Sequence, residues 1–533
     1  MKSMPNPMKM GTNNPVYWSK DQIAITFPSH LSLDTAQKDI ALVVDTNLRI
    51  LNTHALKDTP FTLERLNNKP SLTGTPTDDF TGISLYASPT NATTDIPTMH
   101  IIVFCTVNIT NTTVENAQAA RDAMFKVVQL LNAYERSGQA QLVSQTTPNW
   151  LWSGVPDNDP THGCPVTPPF PVQDGGRCGQ WTIGFPMLPD ELENATGAGV
   201  TVFILDAFLA PEQILFAANA ASTQNTLLQQ MGLGMISKEP YQAAAPAISL
   251  NYTYEIPGPE QTATTGKDIY GRLSAFPMAD HGLFIAGLVR DIAPDARIEC
   301  VRILNDFAVG DSATLIQVLA NIEARLRAGD LQNQRVVINM SLVIGPPEAD
   351  QARLGLTPPE LLSLLTPLYT LMLSMAQRGA IFAISVGNDS DPRDFSMNPS
   401  GMRFNARYPA AFANDLTSID PNITPLRAII PVGAVNQRGE PAAYSNYPGA
   451  NGIAIYGGEL PRPDPWLPSE KEHKIARVDT TFPIDALRGV YSAETYPALS
   501  SNDPYRSLRE APPATQTTYP QYPATETSAW AYW

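Results

Sequence analysis

An α/β layered domain with a mostly parallel central sheet, preceded by a small α+β domain, is the fold class the sequence predicts. Three observations predict it. From Gly197 onward, short continuous apolar runs alternate with segments of helical periodicity. Runs without polar alternation suit strands buried on both faces, as in a parallel sheet covered by helices. Before residue 150 the pattern differs, with short strand-like runs and one amphipathic helix. A length of 533 residues is enough for one large core and two or three domains.

Residues 1–20 read as a disordered leader with no apolar core of signal-peptide length. In the α+β domain, residues 21–150, strand-like runs are Ile23–Phe27, Ile40–Val44 and His100–Phe104. A helix is predicted from Val114 to Arg136, with a capping box from Thr112 and Glu115. Its apolar stripe is Ala119, Met124, Val127, Val128 and Leu131. Residues 151–195 are rich in Pro, Gly, Asp and Thr and read as a linker. The second domain spans 196–533. Its predicted strands are 200–205, 298–304, 336–342, 380–386 and 428–435, with crossover helices at Leu315–Ala328 and Leu361–Gln377. Insertions are expected at about 207–270 and 459–527, both too long for a normal connection.

Hydrophobic residues make up 43% and charged residues 16%, which fits a folded globular chain rather than a disordered one. Lys and Arg total 35 against 51 Asp and Glu, giving a net charge of −16. That balance argues against nucleic acid and anionic membrane as partners. No run approaches the ~18 apolar residues of a membrane helix. With no export signal recognised, the cytoplasm is the default compartment. Four cysteines are too few for a disulfide framework. Cys164 and Cys178 flank a loop and can pair, whereas Cys300 lies in an apolar run and reads as a buried thiol. His162 near Cys164 lacks any accompanying C-x-x-C, so no metal site is assigned.

Three residues are candidates for chemistry: Asp206 at the carboxyl end of a strand, where open α/β sheets place functional groups, His281 at the start of a helix, and Asn388 after a strand. Asp206 closes the run Val200–Leu205 and is either a functional carboxylate or a cap for the next turn. No G-x-G-x-x-G follows a strand, so a dinucleotide site is not supported. His281 opens His281-Gly282-Leu283-Phe284-Ile285-Ala286-Gly287, whose small residues let a helix lie close to a sheet. Asn388 follows Ile384-Ser385-Val386-Gly387 and is either a turn residue or an amide donor to a developing oxyanion.

The order of these motifs resembles that of the subtilisin-like serine proteases (subtilases). The resemblance is carried by Asp206, His281–Gly287, Ile292-Ala293-Pro294, Val301–Leu304, Val337-Ile338-Asn339-Met340-Ser341-Leu342, Ser385–Asn388, Tyr408-Pro409-Ala410, Ile430–Val435 and Ala442–Asn446. It covers about residues 197–458 and implies a subtilisin-like layered domain acting as a serine endopeptidase on peptide or protein substrates. Asp206 would orient the imidazole, His281 would be general base and then acid, and Asn388 would supply the oxyanion-hole amide. Ser341, Leu342 and Val343 would form an edge that pairs with an extended peptide. Ser385, Val386 and Gly387 would border the pocket for the side chain before the cleaved bond. No cofactor is implied, and structural calcium is not readable. The α+β domain resembles an inhibitory propeptide more weakly, and an unrelated accessory domain is the other reading.

The sequence departs from the family at Ala207, Phe208 and Leu283, all at the lining of the site. It also lacks the motif Gly-Thr-Ser-x-Ala-x-Pro that carries the nucleophile. The nearest match, Glu526-Thr527-Ser528-Ala529, has Glu for the first glycine and only five residues after Ser528. The expectation is a fragment of a longer protease, ending before its serine and exposing an apolar groove where a helix would pack. A fluorophosphonate probe would then label nothing in residues 1–533. The alternative is a catalytically silent, subtilase-like peptide-binding protein.

Overall fold

The computed structural model describes residues 18–29, 33–66, 82–87, 99–109, 117–136, 145–153, 170–172, 195–208, 248–251, 281–304, 309–331, 333–346, 351–352, 354–390, 401–421, 423–435, 439–456 and 527–529. The N-terminal part begins with β1 (Trp18–Ser29) and α1 (Leu33–Ile50), the latter continued by one π-helical turn, Leu51–Ala55. Next come β2 (Phe61–Arg65), β3 (Ile83–Ala87), β4 (Met99–Ile109), α2 (Ala117–Arg136) and β5 (Gln145–Ser153). β1 pairs antiparallel with β4 on one side and β5 on the other, while β2 and β3 both pair with β4.

One predicted element is corrected. Residues 40–44 lie inside α1 and do not form a strand. Val44, Leu48 and Leu51 are buried at helical spacing, whereas Leu42, in the middle of the apolar run, is exposed. The run is a helix face plus one outward leucine, which imitates a short strand. The α2 helix begins at Ala117, and the expected cap at Thr112 and Glu115 lies outside the described residues. The linker boundary also shifts, because β5 continues through 151 to Ser153. Its tail is anchored by Trp150, which is buried, meets Trp18 edge-on at 5.9 Å and donates from Nε1 to Thr147 Oγ1 at 2.9 Å.

The short β6 (Phe170–Val172) belongs to a separate pair described below. The second part contributes β7 (Val200–Ala207), β8 (Ile248–Asn251), α3 (His281–Ile292), β9 (Arg297–Leu304), β10 (Val309–Asp311), α4 (Ser312–Ala328), β11 (Arg335–Met340) and β12 (Val343–Ile344). It continues with α5 (Pro358–Gln377), β13 (Ile381–Ser385), β14 (Ile429–Val435) and β15 (Ile453–Tyr456). Seven of these strands form one parallel sheet in the order β15-β14-β13-β11-β7-β9-β8. The fold is therefore a layered α/β unit preceded by an α+β unit. The predicted helices begin earlier than expected, at Ser312 and Pro358. Asp311 caps α4 by accepting from Thr314 N at 2.8 Å, and Thr357 with Glu360 forms a capping box on α5.

The two faces of the parallel sheet are covered differently. On one face Phe203, Leu205, Ile338, Met340, Phe382 and Ile384 are buried and join a core with α4, α5 and the N-terminal sheet. On the other, Ile204 and Cys300 are buried, and α3, which packs on β7 and β9, buries Leu283 and Ala286. Further along that second face, Ile381, Ile453 and Ile455 keep 41%, 52% and 37% of their surface exposed. Registers place Ile381 in line with Val337 and Val202, and Ile453 and Ile455 in line with Val432 and Ala434, so all three lie on the same face of the sheet. No helix among the described residues is long and apolar enough to cross a membrane.

Candidate active site and peptide-binding edges

Strand β7 lies inside the sheet between β11 and β9 and ends at the site. Asp206, its penultimate residue, is fully buried. Its Oδ1 accepts from the Ala207 backbone N–H at 2.6 Å and meets His281 Nδ1 at 2.8 Å. His281 is the first residue of α3 and is 1% exposed. The helix can start there because of Gly282. A Cβ at that position would sit 2.5 Å from the Phe208 ring and 2.6 Å from the Ala207 carbonyl oxygen. Glycine therefore lets the helix approach the strand end closely enough for an imidazole–carboxylate hydrogen bond.

Cys300 lies on the neighbouring β9, opposite Ile204. Burial, and then the Asp206 charge, hold its thiol well above the ordinary range. It is a free, protonated core residue, without the thiolate character that nucleophilic or metal-binding chemistry needs. No cluster of three metal-ligating side chains occurs among the described residues. His162, Cys164 and Cys178 lie outside them.

Asn388 is buried just beyond β13. Strands β7 and β13 are both parallel to β11, which lies between them. Asp206 and Asn388 therefore share the carboxyl edge of the sheet, with an interstrand offset of about 10 Å. Gly387 has φ +101°, and a Cβ there would come within 2.7 Å of Asn446 Nδ2 and 2.9 Å of Asp389 Oδ2. Asn446 is the hub of this turn. It accepts from Asp389 N and Ser390 Oγ at 3.1 and 2.7 Å, and donates to Asp389 Oδ2 at 2.8 Å. Sequence reasoning placed Asn446 in a motif but gave it no role. Asp389, which sequence reasoning left without a role, forms an ion pair at 2.9 Å with Arg407, which it missed. An Asp immediately after Asn388 and an Arg before the Tyr-Pro pair were the available signals.

Ser341, Leu342 and Val343 are buried where β11 gives way to β12, and Ser385 Oγ donates to the Leu342 carbonyl at 3.5 Å. Val343 and Ile344 pair antiparallel with Ser153 and Trp152 of β5. On its other side, β5 pairs antiparallel with β10: Ser153 with Val309, Trp152 with Gly310 and Leu151 with Asp311. The end of the N-terminal unit is thus a strand clasped between two edges of the second unit. The β10 edge was not anticipated from sequence. Ser528 lies in β16 (Thr527–Ala529), which pairs with β6 and sets Ser528 opposite Pro171.

No family model and no curated protein matches the chain. Among solved structures it is similar to the S218A mutant of the protease domain of PatA, at 17% identity and a TM-score of 0.27, covering 60% of this chain and 91% of that one. It is also similar to the self-cleaved protease domain of PatA, at 17% identity and a TM-score of 0.25, covering 59% and 88%. A third is the prenylagaramide maturation protease PagA, at 14% identity and a TM-score of 0.24, covering 58% and 81%.

Proposed function

We propose that the chain belongs to a serine endopeptidase of the subtilase type, with the N-terminal unit as an intramolecular occupant of its peptide-binding edges. The observation that carries this reading is the buried contact of 2.8 Å between Asp206 Oδ1 and His281 Nδ1 at the carboxyl edge of a parallel sheet. With its Nδ1 proton directed at Asp206, His281 presents the Nε2 lone pair to a serine hydroxyl. It takes the hydroxyl proton as the oxygen attacks a peptide carbonyl, then returns it to the departing amine. Asp206 fixes the ring and stabilises the imidazolium formed between those steps. The Asn388 amide donates to the tetrahedral oxyanion, a contribution of about 3 kcal/mol in such sites. Water then hydrolyses the acyl-enzyme by the same sequence of proton transfers.

The pairing of β5 with both β10 and β12 supports the peptide-binding part. A substrate in extended conformation would make the backbone bonds that Leu151–Ser153 make in this structure. That pairing also favours a second reading, a catalytically silent protein that grips an extended peptide. Fluorophosphonate labelling of the protein, with peptide mapping, separates the two. Labelling of one serine that is lost in His281→Ala supports the peptidase. Peptide binding without any labelled serine supports the silent reading.

A further inference from the structure

We propose that Arg407 is a positioning residue that ties together the two peptide-binding segments and sets the spacing between them, an inference that rests on the peptide-binding part of the proposed function. Its backbone N–H donates to the Val386 carbonyl at 3.0 Å, on the segment leaving β13. Its Nη1 donates to Asp389 Oδ1 at 2.9 Å, one residue beyond Asn388. Its Nη2 donates to the Gly345 carbonyl, one residue beyond β12. The next residue, Tyr408, accepts from Ile344 N at 2.7 Å. One short stretch therefore bonds to both walls at once, the Ser385–Gly387 segment and the β12 segment.

The chemistry of this crosspiece suits arginine alone. A planar guanidinium presents two separate N–H groups, one for a carboxylate and one for a carbonyl, in fixed relative orientation. Lysine could satisfy the charge of Asp389 but cannot hold both acceptors in that geometry. Asp389 is fully enclosed, and its other oxygen accepts from Asn446, so the pair is anchored within the turn. The Arg407 side chain is also close to Gly387, whose added Cβ would lie 3.3 Å from Arg407 Cδ. A strand seated on β12 is thus connected through Gly345 and Arg407 to the turn that presents Asn388.

The structure supplies a reporter that needs no catalysis, the β5 strand on β12. Amide hydrogen exchange on the full chain reads how firmly that strand is held. In Arg407→Met, exchange at Leu151–Ser153 and Val343–Gly345 is expected to rise about tenfold or more, from loss of two charge-assisted bonds. The β1–β4 ladder serves as the internal control and should stay unchanged. Arg407→Lys, which retains the charge and guards against a variant that fails to fold, should also loosen β12. Unchanged exchange at β12 in Arg407→Met, a uniform rise across the chain, or full restoration by lysine would each overturn the proposal. His281→Ala is expected to leave this exchange pattern intact. It separates a failed proteolytic reading, seen by loss of no activity, from a failed role for Arg407.

Discussion

Asn149 of the N-terminal unit caps the helix that begins at Ser312 of the second unit. Its Oδ1 accepts from the Ala313 backbone N–H at 2.9 Å and from Ser312 Oγ at 3.0 Å, while Ser312 Oγ also meets Trp150 N at 2.9 Å. The first turn of α4 thus has a cap of its own, Asp311, and a second from elsewhere in the chain. Asn149→Ala is expected to cost about 1–2 kcal/mol, because it leaves buried donors without an acceptor. Asn149→Asp should lie between wild type and alanine. It keeps the acceptor and suits the helix dipole, but loses the bond from Nδ2 to Gln22 Oε1 at 2.8 Å. Denaturant titration of the three full-length forms provides the ranking.

The closeness of α3 to β7 makes Gly282 a second test. In Gly282→Ala the methyl group must displace both Phe208 and the Ala207 carbonyl, and the latter is backbone. Overpacking of this kind costs about 1–3 kcal/mol. The displacement would also move His281 away from Asp206. On the proposed mechanism, Asp206→Asn is the cleaner probe, since it keeps the volume and changes the tautomer that the imidazole must adopt. In the Ser-His-Asp arrangement such a change lowers kcat by about 10⁴. Steady-state kinetics of the natural protein should show that loss in kcat, with thermal melting close to wild type for Asp206→Asn and lowered for Gly282→Ala.

Much of the second unit was legible because buried parallel strands leave long apolar runs, as at Val200–Leu205 and Arg297–Leu304. The Asp206–His281 pair was legible for a different reason: each residue sits at an element boundary with small neighbours, and the order of motifs is specific. The N-terminal unit was harder. In α1 the outward Leu42 completed an apolar run that imitated a strand, and β2 and β3 are short strands made by pairing with β4. The partnership of β5 with β10 and β12 is a long-range backbone interaction with no side-chain signature. The same holds for Arg407, whose two side-chain acceptors are 18 and 62 residues away in the chain.

Acidification is expected to weaken the N-terminal unit through His100. Its ring stacks on Tyr86 with centroids 5.1 Å apart, and burial lowers its pKa from the ordinary 6.5. Tyr86 is itself pushed well up by burial and bonds to Thr370 of α5, so this stack lies against the second unit. Below about pH 6.5 the unfolded chain takes up a proton that folded His100 resists, so stability falls as pH drops toward the lowered pKa. Above 6.5 both states are neutral at this ring and the contribution levels off. Melting curves between pH 5.5 and 7.5 should show this decline. His100→Phe keeps an aromatic ring against Tyr86, removes the titration, and should flatten the profile in that window.

The half-covered face of the parallel sheet leads to a last expectation. Ile381, Ile453 and Ile455 lie on the α3 side of β13 and β15 and keep between 37% and 52% of their surface in solvent. A parallel sheet is normally covered on both faces, and apolar surface left exposed on one of them promotes association. Charged residues there should therefore cost little stability and reduce self-association. Ile453→Lys is placed at the most exposed of the three, on the edge strand, where a lysine also blocks edge-to-edge pairing. Its stability should change by no more than about 0.5 kcal/mol, as for ordinary surface substitutions. Light scattering against concentration should show less association than wild type, and apolar dye binding should fall with it. By contrast, Ile384→Lys on the opposite, fully buried face is expected to prevent folding, because it places an unpaired charge in the core shared with α4 and α5. A stable Ile384→Lys protein, or an Ile453→Lys protein that unfolds, would reverse this assignment of the two faces.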